Sequence, residues 1–151
     1  MFWISRGLRP RIERATLSGD SKTTLVSFTS LWWSSRPNGI TLDFSANRLY
    51  WVDSLTSRIE SVDFNGNNRQ RFKTLLFSIR PYDIVLYSGV FYYSDTSSQS
   101  IDKIDKATKQ SLGSYTRLGG SNVLRLAMFS PVRQPKGMYL SECSEIVAAA
   151  I

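Results

Sequence analysis

The chain has 151 residues, of which 42% are hydrophobic and 13% aromatic, so it has enough apolar material for one globular unit. Its formal charge of +7 comes from scattered basic residues, with only Arg6, Arg9, Arg11 and Arg14 clustered, and this scatter argues against a nucleic-acid partner. Histidine is absent and Cys143 is the single cysteine, which excludes Ser-His and Cys-His catalysis, histidine-ligated metals, CxxC zinc sites and a disulfide within the chain.

The two ends of the sequence lack the features of targeting and membrane segments. Residues 1–4 run directly into Arg6 without the apolar stretch of a signal peptide. Residues 146–151 are apolar but far fewer than the roughly 20 residues that span a bilayer. We expect no signal peptide, no transmembrane helix and no direct membrane insertion by this sequence.

The first predicted strands are two short segments that recur later in the chain. Phe2-Trp3-Ile4-Ser5 precedes Tyr50-Trp51-Val52-Asp53 by 48 residues, and Arg11-Ile12-Glu13-Arg14 precedes Arg58-Ile59-Glu60-Ser61 by 47. A period in the forties is typical of the blades of β-propellers.

The central repeat predicts four strands. Ile40, Leu42 and Phe44 alternate with polar residues, as a strand with one buried face requires, and residues 45–47 form a short polar turn before a strand at 48–52. A third strand is predicted over 58–64, and Asn65-Gly66 after it predicts a two-residue hairpin to a fourth strand at 69–73. Four antiparallel strands in about 42 residues make one propeller blade.

A second full copy follows directly. Tyr93 and Asp95 stand 42 residues after Trp51 and Asp53. Strands are predicted near residues 83–87, 90–94, 100–105 and 110–115, and residues 123–129 predict the opening strand of a further unit. No helix of useful length is predicted.

The repeat motif resembles the YWTD repeat, also called the class B repeat, of the low-density lipoprotein receptor family. The residues that carry this resemblance are Pro37-Asn38-Gly39-Ile40-Thr41-Leu42-Asp43, Asn47-Arg48-Leu49-Tyr50-Trp51-Val52-Asp53, Arg58-Ile59-Glu60 and Asp63-Phe64-Asn65-Gly66-Asn67-Asn68-Arg69. Propellers of this family have six blades and are followed by an EGF-like module.

The resemblance implies an all-β fold, namely a partial six-bladed β-propeller with about three repeats of four-stranded antiparallel blades, incomplete as a lone chain. Residues 1–130 would hold the repeats, at about 1–34, 35–78 and 79–120, followed by the first strand of a further unit. Residues 131–151 would be a linker and the truncated start of an EGF-like module, with Cys143 at the position of the first EGF cysteine.

The resemblance also implies structural roles for motif residues. It predicts that Asp53 and Asp95 hydrogen-bond between strands or blades. It predicts that Trp51 and Tyr93 pack between blades, since large aromatics contribute much of the burial there. Tyr50 and Gly66 complete the set of structural motif residues.

Partner-binding candidates come from the segment that precedes the first strand of each blade, which lies near the ligand-facing surface in propellers of this family. In this chain the candidates are Trp33, Arg36, Asn38, Arg80 and Tyr82. Aromatic and arginine side chains are typical of protein-binding hot spots. The alternative is that Trp33 and Tyr82 only fill the space between blades.

The functional expectation is a non-catalytic, ligand-binding or docking segment in the extracellular part of an endocytic or signalling receptor at the plasma membrane. Its partners would be protein ligands or other modules of the same receptor, and no cofactor or metal is expected. Two alternatives stay open. The chain is a fragment without independent function that self-associates through open blade faces, or it is part of a metal-dependent propeller hydrolase that uses Asp53, Asp63 and Asp95.

Overall fold

The computed structural model describes residues 1–28, 34–116, 125–128 and 146–149, and these residues form strands, turns and irregular segments but no helix. The strands, in chain order, are β1 (Phe2–Ser5), β2 (Arg11–Arg14), β3 (Thr23–Ser27), β4 (Pro37–Asp43), β5 (Arg48–Asp53), β6 (Arg58–Asp63), β7 (Gln70–Thr74), β8 (Pro81–Tyr87), β9 (Val90–Asp95), β10 (Ser100–Asp105), β11 (Ser111–Thr116), β12 (Arg125–Met128) and β13 (Ile146–Ala149).

The strands form successive antiparallel sheets in which each strand pairs with its neighbour in sequence. The first sheet is β1-β2-β3, the second β4-β5-β6-β7 and the third β8-β9-β10-β11. β12 pairs with β13, which the sequence analysis did not predict. Four-stranded antiparallel sheets repeated in this way are propeller blades, so the predicted all-β, partial-propeller fold is confirmed.

The second sheet buries both of its faces because alternate side chains of a strand point to opposite sides. Leu49 and Trp51 of β5 belong to the core shared with the first sheet, whereas Tyr50 and Val52 belong to the core shared with the third. A strand buried on both sides explains why the sequence Leu-Tyr-Trp-Val is apolar throughout instead of alternating.

The first strands of successive sheets lie against one another, β1 beside β4, β4 beside β8, and β8 beside β12. β4 approaches β8 very closely at Gly39. A methyl group on Gly39 would lie 2.5 Å from the Cα of Asp83 and 2.8 Å from the backbone nitrogen of Ile84. The missing side chain therefore allows the second and third sheets to pack together.

Two local predictions were wrong. The loop between β6 and β7 covers residues 64–69, so Asn65-Gly66 is not a two-residue hairpin. The Asp63 carboxylate accepts hydrogen bonds from the backbone N–H groups of Asn65 and Asn67 at 2.9 and 2.8 Å, which stabilises the longer loop. Phe44 follows β4 in the turn and is 70% exposed, so it is not on the buried face.

The proposed division at residues 130 and 131 lies outside the described residues, as does Cys143. Within the described ranges, no helix is long and apolar enough to span a bilayer.

Candidate interaction surface

The carboxylate of Asp53, at the end of β5, fixes the two segments that surround it. One oxygen accepts the backbone N–H groups of Leu55 and Thr56, each at 2.9 Å. The other accepts the Arg36 backbone N–H at 2.9 Å and the Ser35 hydroxyl. Asp53 is completely buried. Its contacts hold the segment before β4 against the turn after β5.

Asp95 occupies the equivalent place in the third sheet. Its carboxylate accepts the Arg80 backbone N–H at 2.8 Å and the hydroxyls of Ser97 and Ser98, each at 2.6 Å. Burial alone would raise the pKa of Asp95, but these hydrogen bonds outweigh burial and hold the pKa below its usual value. The same aspartate therefore positions the segment before the first strand in both sheets.

The first sheet has Ser5 where the other two have aspartate, and the carboxylate beside Ser5 is that of Glu13 on the neighbouring strand. The Ser5 hydroxyl and the Trp3 indole N–H both donate to the Glu13 carboxylate, the indole at 3.1 Å. The hydrogen bond from Ser5 is the main reason why the pKa of Glu13 lies below its usual value. Comparison of the motif sequences alone does not reveal these hydrogen bonds, because Glu13 lies on another strand.

The motif aromatics are buried between sheets. Trp51 packs with its ring centroid 6.0 Å from that of Phe28, and Tyr50 packs 4.7 Å from Phe91. Tyr93 lies in the same core as Tyr50, and burial raises the pKa of its hydroxyl. Gly66, the remaining motif residue, has a φ of +90° and contacts Leu25 of β3.

Four of the five partner-binding candidates surround one open cavity of about 430 Å³ at the end of the sheets where β1, β5 and β9 terminate. The residues that line it are Arg6, Arg36, Asn38, Ser54, Leu55, Arg80, Tyr82 and Thr96. A neighbouring cavity of about 310 Å³ shares Arg6, Arg36 and Asn38, so the two form one groove. The fifth candidate, Trp33, lies outside the described residues.

Tyr82 lines this groove, and two arginines lie near its ring. The guanidinium carbons of Arg6 and Arg125 lie 5.7 and 5.6 Å from the centroid of its ring, within the range of cation–π contacts. Arg125 belongs to β12 and Arg6 to the loop after β1. The ring is therefore part of an arginine-rich surface that three separate sheets build.

Asn38 and Arg80 have structural contacts as well as a place in the groove. The buried Asn38 side chain donates to the Pro81 carbonyl at 3.3 Å and so links β4 to β8. The Arg80 guanidinium donates to the carbonyl of Phe77 at 2.6 Å and lies 5.3 Å from its ring centroid. Arg36, in contrast, is exposed, and within the described ranges its guanidinium makes no hydrogen bond or ion pair.

The sequence analysis did not select Arg6, although it noted the cluster of Arg6, Arg9, Arg11 and Arg14. Only the placement of the first sheet beside the second brings Arg6 to the groove.

The sequence analysis also did not select Asp83, which is buried at the close approach of β4 and β8. Burial raises the pKa of Asp83, and hydrogen bonds from the backbone N–H groups of Leu126 and Ile84 lower it in part.

In the part of the chain that the structure describes, no three Asp, Glu, His or Cys side chains come together in a way that could hold a metal ion. The three aspartates weighed for a hydrolase, Asp53, Asp63 and Asp95, each hold backbone N–H groups of a turn next to them.

Comparison with known structures finds the same fold in proteins of different function. A chain of a nidogen/laminin complex superimposes with a TM-score of 0.66 and 24% identity over 77% of this chain and 42% of that one. Regucalcin, a calcium-binding protein from Agrobacterium tumefaciens, gives a TM-score of 0.64 with 16% identity over 81% of this chain and 41% of its own. Virginiamycin B lyase from Staphylococcus aureus gives 0.57 with 20% identity, over 78% and 38%.

Comparison with curated proteins finds the vitellogenin receptor Yl of Drosophila melanogaster, which is 28% identical over 99% of this chain. The chain spans only 7% of that relative's length. No family model matches the sequence.

The fold defines this protein as a partial β-propeller in which the repeated motif aspartates join neighbouring segments. The receptor relative confirms the resemblance to the low-density lipoprotein receptor family and supports a receptor-related propeller module.

Proposed function

We propose that this chain is a non-catalytic docking segment in the extracellular part of an endocytic or signalling receptor related to the low-density lipoprotein receptor. The observation that carries the proposal is the groove in which Arg36, Asn38, Arg80 and Tyr82 come together from two repeats. The partner is a protein ligand or another module of the same receptor, and Trp33, outside the described residues, remains a candidate contact by its sequence position. Residues 131–151 are proposed to be a linker and the truncated start of an EGF-like module.

Two of the compared proteins support a docking role. The curated relative is by name a receptor for vitellogenin, and the nidogen or laminin chain was solved in a complex between proteins. Arginine and tyrosine are enriched at the energetic centres of protein interfaces. Their concentration at one concave surface supports protein binding at this end of the sheets.

The docking face is tested by photo-crosslinking in the full protein on the surface of cells. A crosslinking amino acid replaces Leu55, which lines the groove, or Leu112 on β11, which is exposed and lies outside the groove. We expect a protein crosslink from position 55 and none from position 112, and the crosslinked protein should bind purified receptor in titration. Equal crosslinking from both positions, or a protein that does not reach the cell surface, would contradict the proposal.

A further inference from the structure

We propose that the groove around Tyr82 binds an acidic peptide segment whose carboxylates pair with Arg6, Arg36 and Arg80 and whose apolar side chains contact the rim. This inference rests on the proposed docking function and adds the chemistry of the partner.

The first argument is charge. Among the described residues, three arginines and no carboxylate line the groove. The nearby aspartates Asp53, Asp83 and Asp95 are buried, and each accepts hydrogen bonds from backbone N–H groups. Asp83 also interacts electrostatically with Arg6 and Arg125, but one buried carboxylate does not balance the arginines of the groove. The accessible charge of the groove is therefore positive, which favours an anionic partner.

The second argument is the state of the arginine side chains. Contacts with aromatic rings hold Arg6 against Tyr82 and Arg80 against Phe77, and one guanidinium nitrogen of Arg80 also donates to the carbonyls of Phe77 and Ile79. A side chain that is already ordered loses less conformational entropy on binding. Arg36 is exposed, and within the described ranges no partner occupies its guanidinium, which can form a bidentate pair with a carboxylate.

The third argument distinguishes a peptide from a nucleic acid. Phe77, beside Arg80, is 83% exposed, Leu76 is 74% exposed, and Leu55 lines the groove. Exposed aliphatic and aromatic side chains next to arginines suit a peptide that carries both carboxylates and apolar residues. Nucleic-acid binding would instead need a continuous basic track along the phosphates.

The test measures binding of the full chain to a labelled peptide of alternating glutamate and leucine by fluorescence anisotropy. We expect binding that weakens as salt rises, and about tenfold weaker binding for Arg36→Gln and for Arg6→Gln, since each removes a charge-assisted pair. Arg71→Gln is the matched control, because Arg71 is exposed on the outer strand β7 away from the groove. Its affinity should equal that of the unchanged chain.

A charge reversal separates recognition from misfolding. Arg36→Glu should lose the glutamate peptide and bind the corresponding lysine and leucine peptide more tightly than the unchanged chain does. A gain of binding cannot come from an unfolded groove. Circular dichroism spectra matching those of the unchanged chain should accompany each variant.

Three outcomes would overturn the inference: equal binding of the glutamate peptide and a glutamine and leucine peptide, equal loss in Arg71→Gln and Arg36→Gln, or tighter binding of a single-stranded oligonucleotide. If the acidic peptide fails while the crosslink from position 55 still forms, the acidic-partner inference is wrong and the docking function stands. If the crosslink itself is absent, the docking function is wrong.

Discussion

At the residue scale, the motif aspartate stabilises the fold by satisfying backbone donors that a turn leaves without partners. Asp53 and Asp95 each bind the segment before a first strand and the turn after a second strand. A buried carboxylate is tolerated here because each of its oxygens accepts hydrogen bonds. The candidate groove depends on this arrangement, since Arg36 and Arg80 are the residues whose backbone N–H groups are held.

The replacement Asp95→Asn should destabilise the protein by about 2 kcal/mol at neutral pH, because an amide nitrogen would face N–H and O–H donors. The folded pKa of Asp95 lies below its ordinary value of 3.8. Its ionised form therefore contributes stability above that value, and the contribution is lost as the pH falls through the folded pKa. Urea denaturation at several pH values should show a gap between the two proteins that narrows in acid.

The matched control is Asp20→Asn, because Asp20 is exposed and accepts a single side-chain hydrogen bond, from Ser18. This variant should change the free energy of unfolding at neutral pH by less than about 1 kcal/mol. A gap between wild type and Asp95→Asn that widens in acid would contradict the assigned role of Asp95.

At the element scale, the close approach of β4 and β8 decides how the second and third sheets meet. Gly39 has no room for a side chain because the atoms nearest to an added methyl group include the backbone of Asp83 and Ile84. Two hydrogen bonds also join these strands: the Asn38 amide donates to the Pro81 carbonyl, and the Thr41 hydroxyl accepts from the Leu86 backbone N–H. Packing and hydrogen bonding therefore cooperate at this contact.

The replacement Gly39→Ala should destabilise the fold by about 3 kcal/mol, since backbone atoms cannot move aside as a flexible side chain can. Gly89→Ala is the control, because Gly89 has a φ of +77° but no atom within 4 Å of the added methyl group. The loss of stability in Gly89→Ala comes from backbone strain alone and should be about 1 kcal/mol. Thermal unfolding that ranks the two variants in the opposite order would show that β4 and β8 tolerate a wider separation.

At the scale of the whole molecule, the sheets do not close into a ring within the described residues, and the third sheet has a less covered face than the second. Tyr92 stands 42 residues after Tyr50 in the repeat, yet Tyr50 is 5% exposed and Tyr92 is only partly buried. Tyr92 points away from the core of the second and third sheets because it alternates with Phe91 and Tyr93 along β9. The face of the third sheet that carries Tyr92 is the one against which the next blade of a propeller packs.

We expect the isolated chain to self-associate, because an apolar face that normally packs against a further blade is a contact surface for a second copy. Sedimentation velocity should show dimers or larger species at micromolar concentration. Tyr92→Lys should shift the distribution towards monomer, whereas the control Tyr115→Lys, at an exposed position on the outer strand β11, should not. A monodisperse monomer with a sharp cooperative unfolding transition would contradict this expectation.

The sequence by itself determined the order and type of the strands and the repeat, because alternation of apolar residues and the spacing of Trp51, Asp53, Tyr93 and Asp95 are local or periodic properties. It misjudged the loop after Asp63, because a carboxylate that binds several backbone N–H groups stabilises a loop longer than Asn-Gly alone indicates.

Only the tertiary structure decided which residues form the groove and which are tied into the fold. Arg6 and Arg125 reach Tyr82 from two other sheets, and Glu13 accepts the Ser5 hydroxyl from a neighbouring strand. These contacts join residues far apart in sequence, and their geometry follows from how the blades pack against each other. A pattern within one repeat carries no information about that packing. The repeat positions therefore predicted Arg36, Asn38, Arg80 and Tyr82, but the contribution of Arg6 and Arg125 emerged only from the assembled sheets.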